Sequence, residues 1–389
     1  MMLGFLLARA GLDVVVLEKH ADFLRDFRGD TIHPSTLELM HELGLLEAFL
    51  RLPHQEVHQL NAQIGEARVT VADFHALPTR CPFVAFIPQW DFLNFLAEHA
   101  ARYPTFQLRM RAEVTELVDE SGRVVGVRAR GPEGELEVRA DLVVGADGRS
   151  SLVREKAGLE VQGFGAPMDV LWFRLSRQPE DPVGVMGRFD SGRIFVMLDR
   201  TEHWQCGFVV AKGTTDEIQR RGLPAFRAEV ARLAPFTANR VDELREWDQL
   251  KLLTVRVDRL LRWYRPGLLC IGDAAHAMSP VGGVGINLAI QDAVAAANLL
   301  AEPLRSRTVT AEHLRKVQQR RELPTRVIQR FQIMIQNRII SRVLASTDKL
   351  EPPLVVRLLA LFPVLRRIPG RLIGIGIRPE HVRTPEVKV

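Results

Sequence analysis

Residues 268–292, LLCIGDAAHAMSPVGGVGINLAIQD, constrain this chain more than any other stretch. An apolar run suited to a buried strand breaks at Gly272-Asp273, passes three glycines (Gly282, Gly283, Gly285) and becomes Ala-rich helix from Asn287 onward. Glycines ahead of a helix let backbone N–H groups approach a ligand closely, and a helix N-terminus favours negative charge. Asp273, at the strand end, is placed to accept hydrogen bonds from sugar-like hydroxyls. A plain structural strand–turn–helix needs neither that acid nor three glycines within four residues. The pattern suits a ligand with a hydroxylated chain and an electron-accepting ring.

Two further strand ends carry acids. Residues 2–10 are helical in pattern, Gly11 supplies a C-cap, and Val14 to Leu17 read as a short buried parallel strand ending at Glu18. In a dinucleotide fold an acid there accepts from ribose hydroxyls. Residues 142–148, LVVGADG, form a second strand ending in Asp147-Gly148, with Ser151 and Arg154 following at helical spacing. Asp147 can bond the turn amides, Gly148 permits a tight bend, Ser151 can cap the helix, and Arg154 can bridge elements. His276 has no carboxylate at triad or metal spacing, so it reads as a structural or hydrogen-bonding residue rather than a base.

The chain has 389 residues, a formal charge of +5, and 47% hydrophobic against 25% charged residues. That length suits two domains, or one with an inserted layer. The basic residues are scattered, which argues against a nucleic-acid surface. Cys81, Cys206 and Cys270 are far apart and odd in number, so neither zinc nor a disulfide framework is expected. The N-terminus lacks the basic-then-apolar pattern of a signal peptide, and a cytoplasmic location is expected.

Helix is expected over the segment after Pro34-Ser35, over 90–102, 224–233 and 311–345. Strands are expected within 64–74, as one strand over 108–117, as a hairpin pairing 124–130 with 135–140, across much of 168–210, and over 250–257. The expected fold is α/β with α+β insertions. A dinucleotide-type three-layer domain spans 1–60, 80–160 and 265–300, interleaved with a β-rich substrate domain at 61–79 and 161–264, and a helical region follows at 301–389. Trp172, Phe173, Phe189, Phe195, Trp204 and Phe208 could line an aromatic pocket, but sheet core explains most of them equally well.

These motifs resemble those of the p-hydroxybenzoate hydroxylase-like flavoprotein monooxygenases, the class A aromatic hydroxylases, most tightly at 1–50, 85–96, 141–156 and 268–293. The resemblance implies an FAD-binding domain and a sheet over the flavin's substrate side. It assigns Asp147 and Gly148 to support of FAD and the nicotinamide cofactor, Asp273 to the ribityl chain, and Glu18 to the adenosine ribose. Pro280 is assigned to a place beside the flavin ring, and the amides of Ile286 and Asn287, behind Gly282, Gly283 and Gly285, to its pyrimidine edge. Arg28 is assigned to the pyrophosphate and Gln89 to a further FAD contact. The family pattern opens with a strand and a GxGxxG turn that this sequence does not show. A misassigned start, a fragment or a real loss would each account for that. Without them FAD binding is expected to be poor, and a sheet edge should be left unpaired.

The implied chemistry is hydroxylation of an aromatic or polyketide-like substrate with NADH or NADPH and O₂, through a flavin C4a-hydroperoxide; the flavin carries the reaction, so no catalytic side chain is assigned. An FAD-dependent reductase or dehydrogenase on the same scaffold, or an inactive remnant, is the alternative. The halogenase variant is disfavoured because no Trp-x-Trp-x-Ile-Pro segment occurs. The tail at 350–389 is basic and apolar, compatible with peripheral membrane contact. The helical spacing of Leu354, Leu358, Leu361 and Leu365 instead favours packing back on the catalytic layers.

Overall fold

The computed structural model describes residues 1–24, 30–182 and 184–387. Its parallel strands come in two separate pieces. Val14–Glu18 pairs with Phe106–Met110, Val14 opposite Phe106. Val143–Gly145 pairs with Leu268–Cys270, Val143 opposite Leu268, and Tyr264–Arg265 adds an antiparallel edge. The edges of Val14–Glu18 and Val143–Gly145 that lack a partner strand among the described residues line one large cavity. The unpaired sheet edge expected from the sequence is therefore present.

Helices cover these strands because their faces are apolar on all sides. The Met2–Arg9 helix is buried along nearly its whole length, packed between the Gly285–Arg305 and Gln89–Ala100 helices. Small residues permit the close approach. A Cβ on Gly4 would lie 2.8 Å from a Val16 methyl, and Ala293, Ala296 and Ala297 form the core face of the longer helix. That helix is long and apolar enough to cross a membrane, but 67% of the relevant window is buried, as in the core helix of a soluble domain.

A seven-stranded sheet stands beside this unit. Its order is Lys251–Leu253, Met168–Ser176, His203–Ala211, Arg193–Asp199, Val185–Asp190, Gln59–Ile64 and Ala67–Asp73, all antiparallel except where Val185–Asp190 meets Gln59–Ile64. Alternation assigns its two faces. Leu171, Phe173, Phe195, Trp204, Phe208 and Val210 pack against Phe226, Val230 and Leu233 of the Leu223–Leu233 helix. Truncating one of the fully buried phenylalanines there would cost about 3–5 kcal/mol. Met168, Val170, Trp172, Phe189, Val196 and Val209 face the cavity. The six aromatics singled out in the sequence thus divide, with Trp172 and Phe189 on the cavity and the other four in the core.

Three expectations are corrected. The single strand over 108–117 breaks at Arg111, which adopts a positive φ of 56°, giving Phe106–Met110 and Glu113–Glu120. Only Lys251–Leu253 of 250–257 enters the sheet, and the chain then turns to pair Asp258–Leu260 with Val161–Gly163. The four tail leucines do not form one packed stripe. The Leu354–Leu361 helix ends ahead of Pro363, Val356 is its buried residue, and Leu354 and Leu361 lie open to solvent.

Candidate active site

Two turns meet at the cavity floor. In the first, Asp147 uses both carboxylate oxygens locally, accepting from the Ser151 hydroxyl at 2.5 Å and from the Val153 amide at 3.0 Å. Ser151 caps the next helix by accepting from the Arg154 amide at 3.0 Å. Arg154 then crosses to the second turn, donating to Asp258 at 3.2 Å and to the Ala274 carbonyl at 3.4 Å. The roles read from the Asp-Gly sequence for Asp147, Ser151 and Arg154 are these contacts. Gly148 has φ +87° and open space where a Cβ would be.

The second turn is held from behind by a carboxylate. Gly272 has φ +59°, and a Cβ there would lie 2.9 Å from that of Ala289. Its amide donates to Asp292 Oδ2 at 3.1 Å. Asp292 also meets His276 Nε2 at 2.6 Å and accepts from Arg321 Nε at 3.0 Å. Burial works to raise the Asp292 carboxyl, but the His276 and Arg321 contacts outweigh it and hold it below the usual carboxylate range. His276 therefore does have a carboxylate partner, sixteen residues on and out of reach of a local sequence reading, and its role is the structural one expected.

Asp273 points the other way, partly exposed on the cavity, with Arg149 Nη2 at 3.4 Å. Arg149 Nη1 is buried and has no hydrogen-bond partner among the described residues. Pro280, Gly282, Gly283, Gly285 and Ile286 continue the same wall. Gly283 has φ +61°, and an added Cβ would fall 2.6 Å from the Thr31 hydroxyl, which donates to the Gly283 carbonyl at 2.9 Å. The Gly285–Arg305 helix starts here with no side-chain cap and no acid in its first turn, so its positive end faces the cavity. Asn287 lies off the cavity. Its side chain accepts from the His33 amide and the Thr36 hydroxyl and donates to the Thr31 carbonyl, tying the helix start to the 31–36 segment.

Glu18 lines the cavity at the end of its strand and accepts the His20 amide at 2.9 Å. Gln89 lines it from the start of its helix, with its amide on Asp30 at 3.3 Å. Arg28 falls outside the described residues. Sequence reasoning missed the buried Asp30–Arg200 ion pair, in which Arg200 also donates to Gln205 at 3.0 Å. It ties the Gln89 loop to the large sheet. Burial raises the Asp30 carboxyl against the pull of Arg200, and burial lowers Arg200. Only the 170-residue separation hid this pair. Burial, with Asp147 adding to it, pushes the Cys270 thiol up to about 12, so it offers no thiolate for chemistry.

The cavity encloses about 2800 Å³. One end is the two-turn floor with its uncapped helix; the other is the apolar sheet face roofed by Ile328, Phe331, Met334, Ile335 and Ile339. A phosphate- and sugar-bearing redox cofactor fits the first end. Close-packed glycines, an uncapped helix start, the unpartnered Arg149 Nη1 and the partly exposed Asp273 all offer contacts to such a group. Fold and site together define a flavin-dependent oxidoreductase.

Comparison with known proteins agrees. The family model described as "FAD binding domain" matches residues 1–331, and the chain belongs to that family, among the FAD-dependent aromatic monooxygenases of the p-hydroxybenzoate hydroxylase type. It is 34% identical to 6-methylpretetramide 4-monooxygenase of Streptomyces rimosus over 94% of this chain and 88% of that one. It is 29% identical to the Streptomyces rimosus 12-dehydrotetracycline 5-monooxygenase/anhydrotetracycline 6-monooxygenase over 76% of this chain, spanning 59% of that protein. The solved anhydrotetracycline hydroxylase of Streptomyces rimosus superposes with a TM-score of 0.73 at 26% identity, covering 96% of this chain and 73% of that one. The α/β class and the FAD- and NAD(P)H-dependent monooxygenase reading of the sequence stand.

Proposed function

We propose that this monooxygenase hydroxylates a large, flat, polycyclic phenol of the polyketide type. The observation that carries the reading is the apolar cavity end, where the sheet face with Trp172 and Phe189 and the helix residues Phe331 and Met334 border the Pro280–Gly285 wall. Apolar surfaces on both sides suit a fused-ring substrate, and a few polar groups such as Gln205 and Asn61 can orient its oxygens. The names of the tetracycline-type relatives support the same class.

In this reading Asp273 accepts from the ribityl hydroxyls of FAD, and Glu18 accepts from the ribose. The amides at Gly285 and Ile286 would take the electron-rich edge of the ring. Asp147 and Gly148 shape the turn beside it, Gln89 adds a side-chain contact, and Pro280 with Gly282 and Gly283 keeps backbone rather than side chains against the ring. FAD held there would supply the redox chemistry, hydride acceptance from NADH or NADPH and activation of O₂. The chain positions substrate, excludes water through its apolar walls, and places the helix N-terminus where negative charge collects.

The test is turnover of a tetracyclic polyketide phenol with FAD, NAD(P)H and ¹⁸O₂, read by mass spectrometry. One ¹⁸O atom per product molecule is expected. NAD(P)H oxidation that leaves the phenol unlabelled refutes hydroxylation.

A further inference from the structure

The C-terminal segment carries an apolar surface that runs from the border of the cavity, at Val355, Leu358 and Ile368, out into solvent. Fifteen large hydrophobic residues are exposed among the described residues, and seven of them fall between Leu354 and Ile368. Leu354, Leu361 and Ile368 are 73%, 72% and 67% exposed, and Val355, Leu358, Phe362 and Val364 complete the patch. Scattered exposed apolar residues need no explanation, but a contiguous group does.

The patch is held firmly from beneath. Gly370 lies so close to the Ala67–Asp73 strand that a Cβ would fall 2.1 Å from the Asp73 carbonyl oxygen, and Val356 packs with Ile64 and Val69. Arg366 donates to the Leu359 and Ala360 carbonyls, closing the end of the Leu354–Leu361 helix. The outward residues are therefore presented by an anchored segment. Arg357 pairs with Glu351 at the edge of the patch, and from there residues 358–378 hold four arginines (366, 367, 371 and 378) and no Asp or Glu. The inner side of the same segment, including Leu359, Leu365 and Leu372, lines the active-site cavity.

We propose that residues 354–371 dock the protein on an anionic lipid bilayer surface, with the seven apolar side chains in the acyl boundary and the arginines among the headgroups. Alternating apolar and basic residues with no acid is the composition of an interfacial segment. A second copy of this chain fits less well. A two-fold pairing would set the arginines of one subunit against those of the other. Docked in this way, Val355, Leu358 and Ile368 meet the bilayer and border the cavity at once, which gives a lipid-soluble aromatic an apolar way in.

The experiment is co-sedimentation of the flavin-loaded full chain with phosphatidylcholine vesicles, with and without phosphatidylglycerol, at low and raised salt. Binding to the phosphatidylglycerol vesicles, weakened by salt, is expected. Arg367→Glu and Arg371→Glu should each reduce it by about fivefold or more. Phe362→Asp should reduce it by at least about tenfold. Leu261→Asp, at an exposed leucine outside the patch, should leave it unchanged, and thermal melts check that every variant is folded. Equal binding to both vesicle types, or variants that bind like wild type, overturns the proposal. So does a dimer in velocity sedimentation that Phe362→Asp dissociates while vesicles bind nothing. The readout does not depend on hydroxylation, so either reading can fail alone.

Discussion

His276 Nε2 sits 2.6 Å from Asp292 Oδ2, with both side chains sealed from solvent, and the same carboxylate accepts the amide of Gly272, the residue before Asp273. One buried acid on the long helix therefore fixes the backbone from which Asp273 enters the cavity. Arg321 closes the far side of the cluster and passes on to Glu380, at 3.0 Å and 3.3 Å respectively. The helix, the turn and the C-terminal segment are tied through a single charge.

Asp292→Asn should be among the most damaging substitutions in the chain. It leaves the buried Arg321 with one fewer counter-charge and weakens the bond to His276. Removing one member of such a buried set costs about 3–5 kcal/mol. Urea unfolding should show that loss, and adding Arg321→Met should recover part of it, since the buried cation short of a counter-charge is then gone while Arg320 still pairs with Glu380. A loss below about 1 kcal/mol would mean the cluster does not hold the turn.

Asp273→Ala tests the cavity side of the same turn. The side chain is partly exposed and its contact with Arg149 is long, so stability should change by no more than about 0.5 kcal/mol. Hydrogen bonds to a charged acceptor contribute about 1.5–3 kcal/mol, so FAD affinity should fall by about 10- to 100-fold. Flavin fluorescence titration measures this, and an unchanged dissociation constant would remove Asp273 from the cofactor site.

Gly283→Ala should destabilise the loop by roughly 1–3 kcal/mol from two separable causes: a positive φ, and a methyl 2.6 Å from the Thr31 hydroxyl. Adding Thr31→Ala should relieve the steric part and leave the backbone part. A double-mutant cycle in thermal or urea unfolding separates them, and strict additivity would show that the contact does not matter.

Local chemistry was the legible part of this protein. The Asp147–Ser151–Arg154 turn and the glycine-rich helix start act over a few residues, so their roles follow from residue type and spacing. Interactions that join distant segments were hidden, although Asp292 did leave a signal. A lone acid inside the run Ala-Ile-Gln-Asp-Ala-Val-Ala-Ala-Ala, on a helix too apolar to face water, must have a buried partner. The spacing of Leu354, Leu358, Leu361 and Leu365 assumes an unbroken helix, whereas the helix ends at Leu361 ahead of Pro363 and Leu365 belongs to a separate turn, so Leu354 and Leu361 are left in solvent while Leu365 reaches the cavity. The Trp172 and Phe173 assignments needed the strand's register, since neighbours in a strand face opposite sides.

The last prediction concerns pH. His33 is fully buried at the start of its helix, with Nδ1 donating to the Ile373 carbonyl at 2.7 Å, and burial pushes its imidazole from 6.5 down to about 4. The unfolded chain therefore takes up this proton near pH 6.5, while the native state takes it up only near 4. Between those values the unfolded state binds more protons, so stability falls as pH falls, and the contribution is fully present above 6.5. At 1.36 kcal/mol per pKa unit the loss amounts to about 3 kcal/mol. His33→Gln keeps a donor for Ile373 but cannot titrate. Urea unfolding at pH 7 and pH 4 should show wild type losing about 3 kcal/mol more than His33→Gln over that interval. Parallel losses in the two proteins would mean that this imidazole is not what weakens the fold in acid.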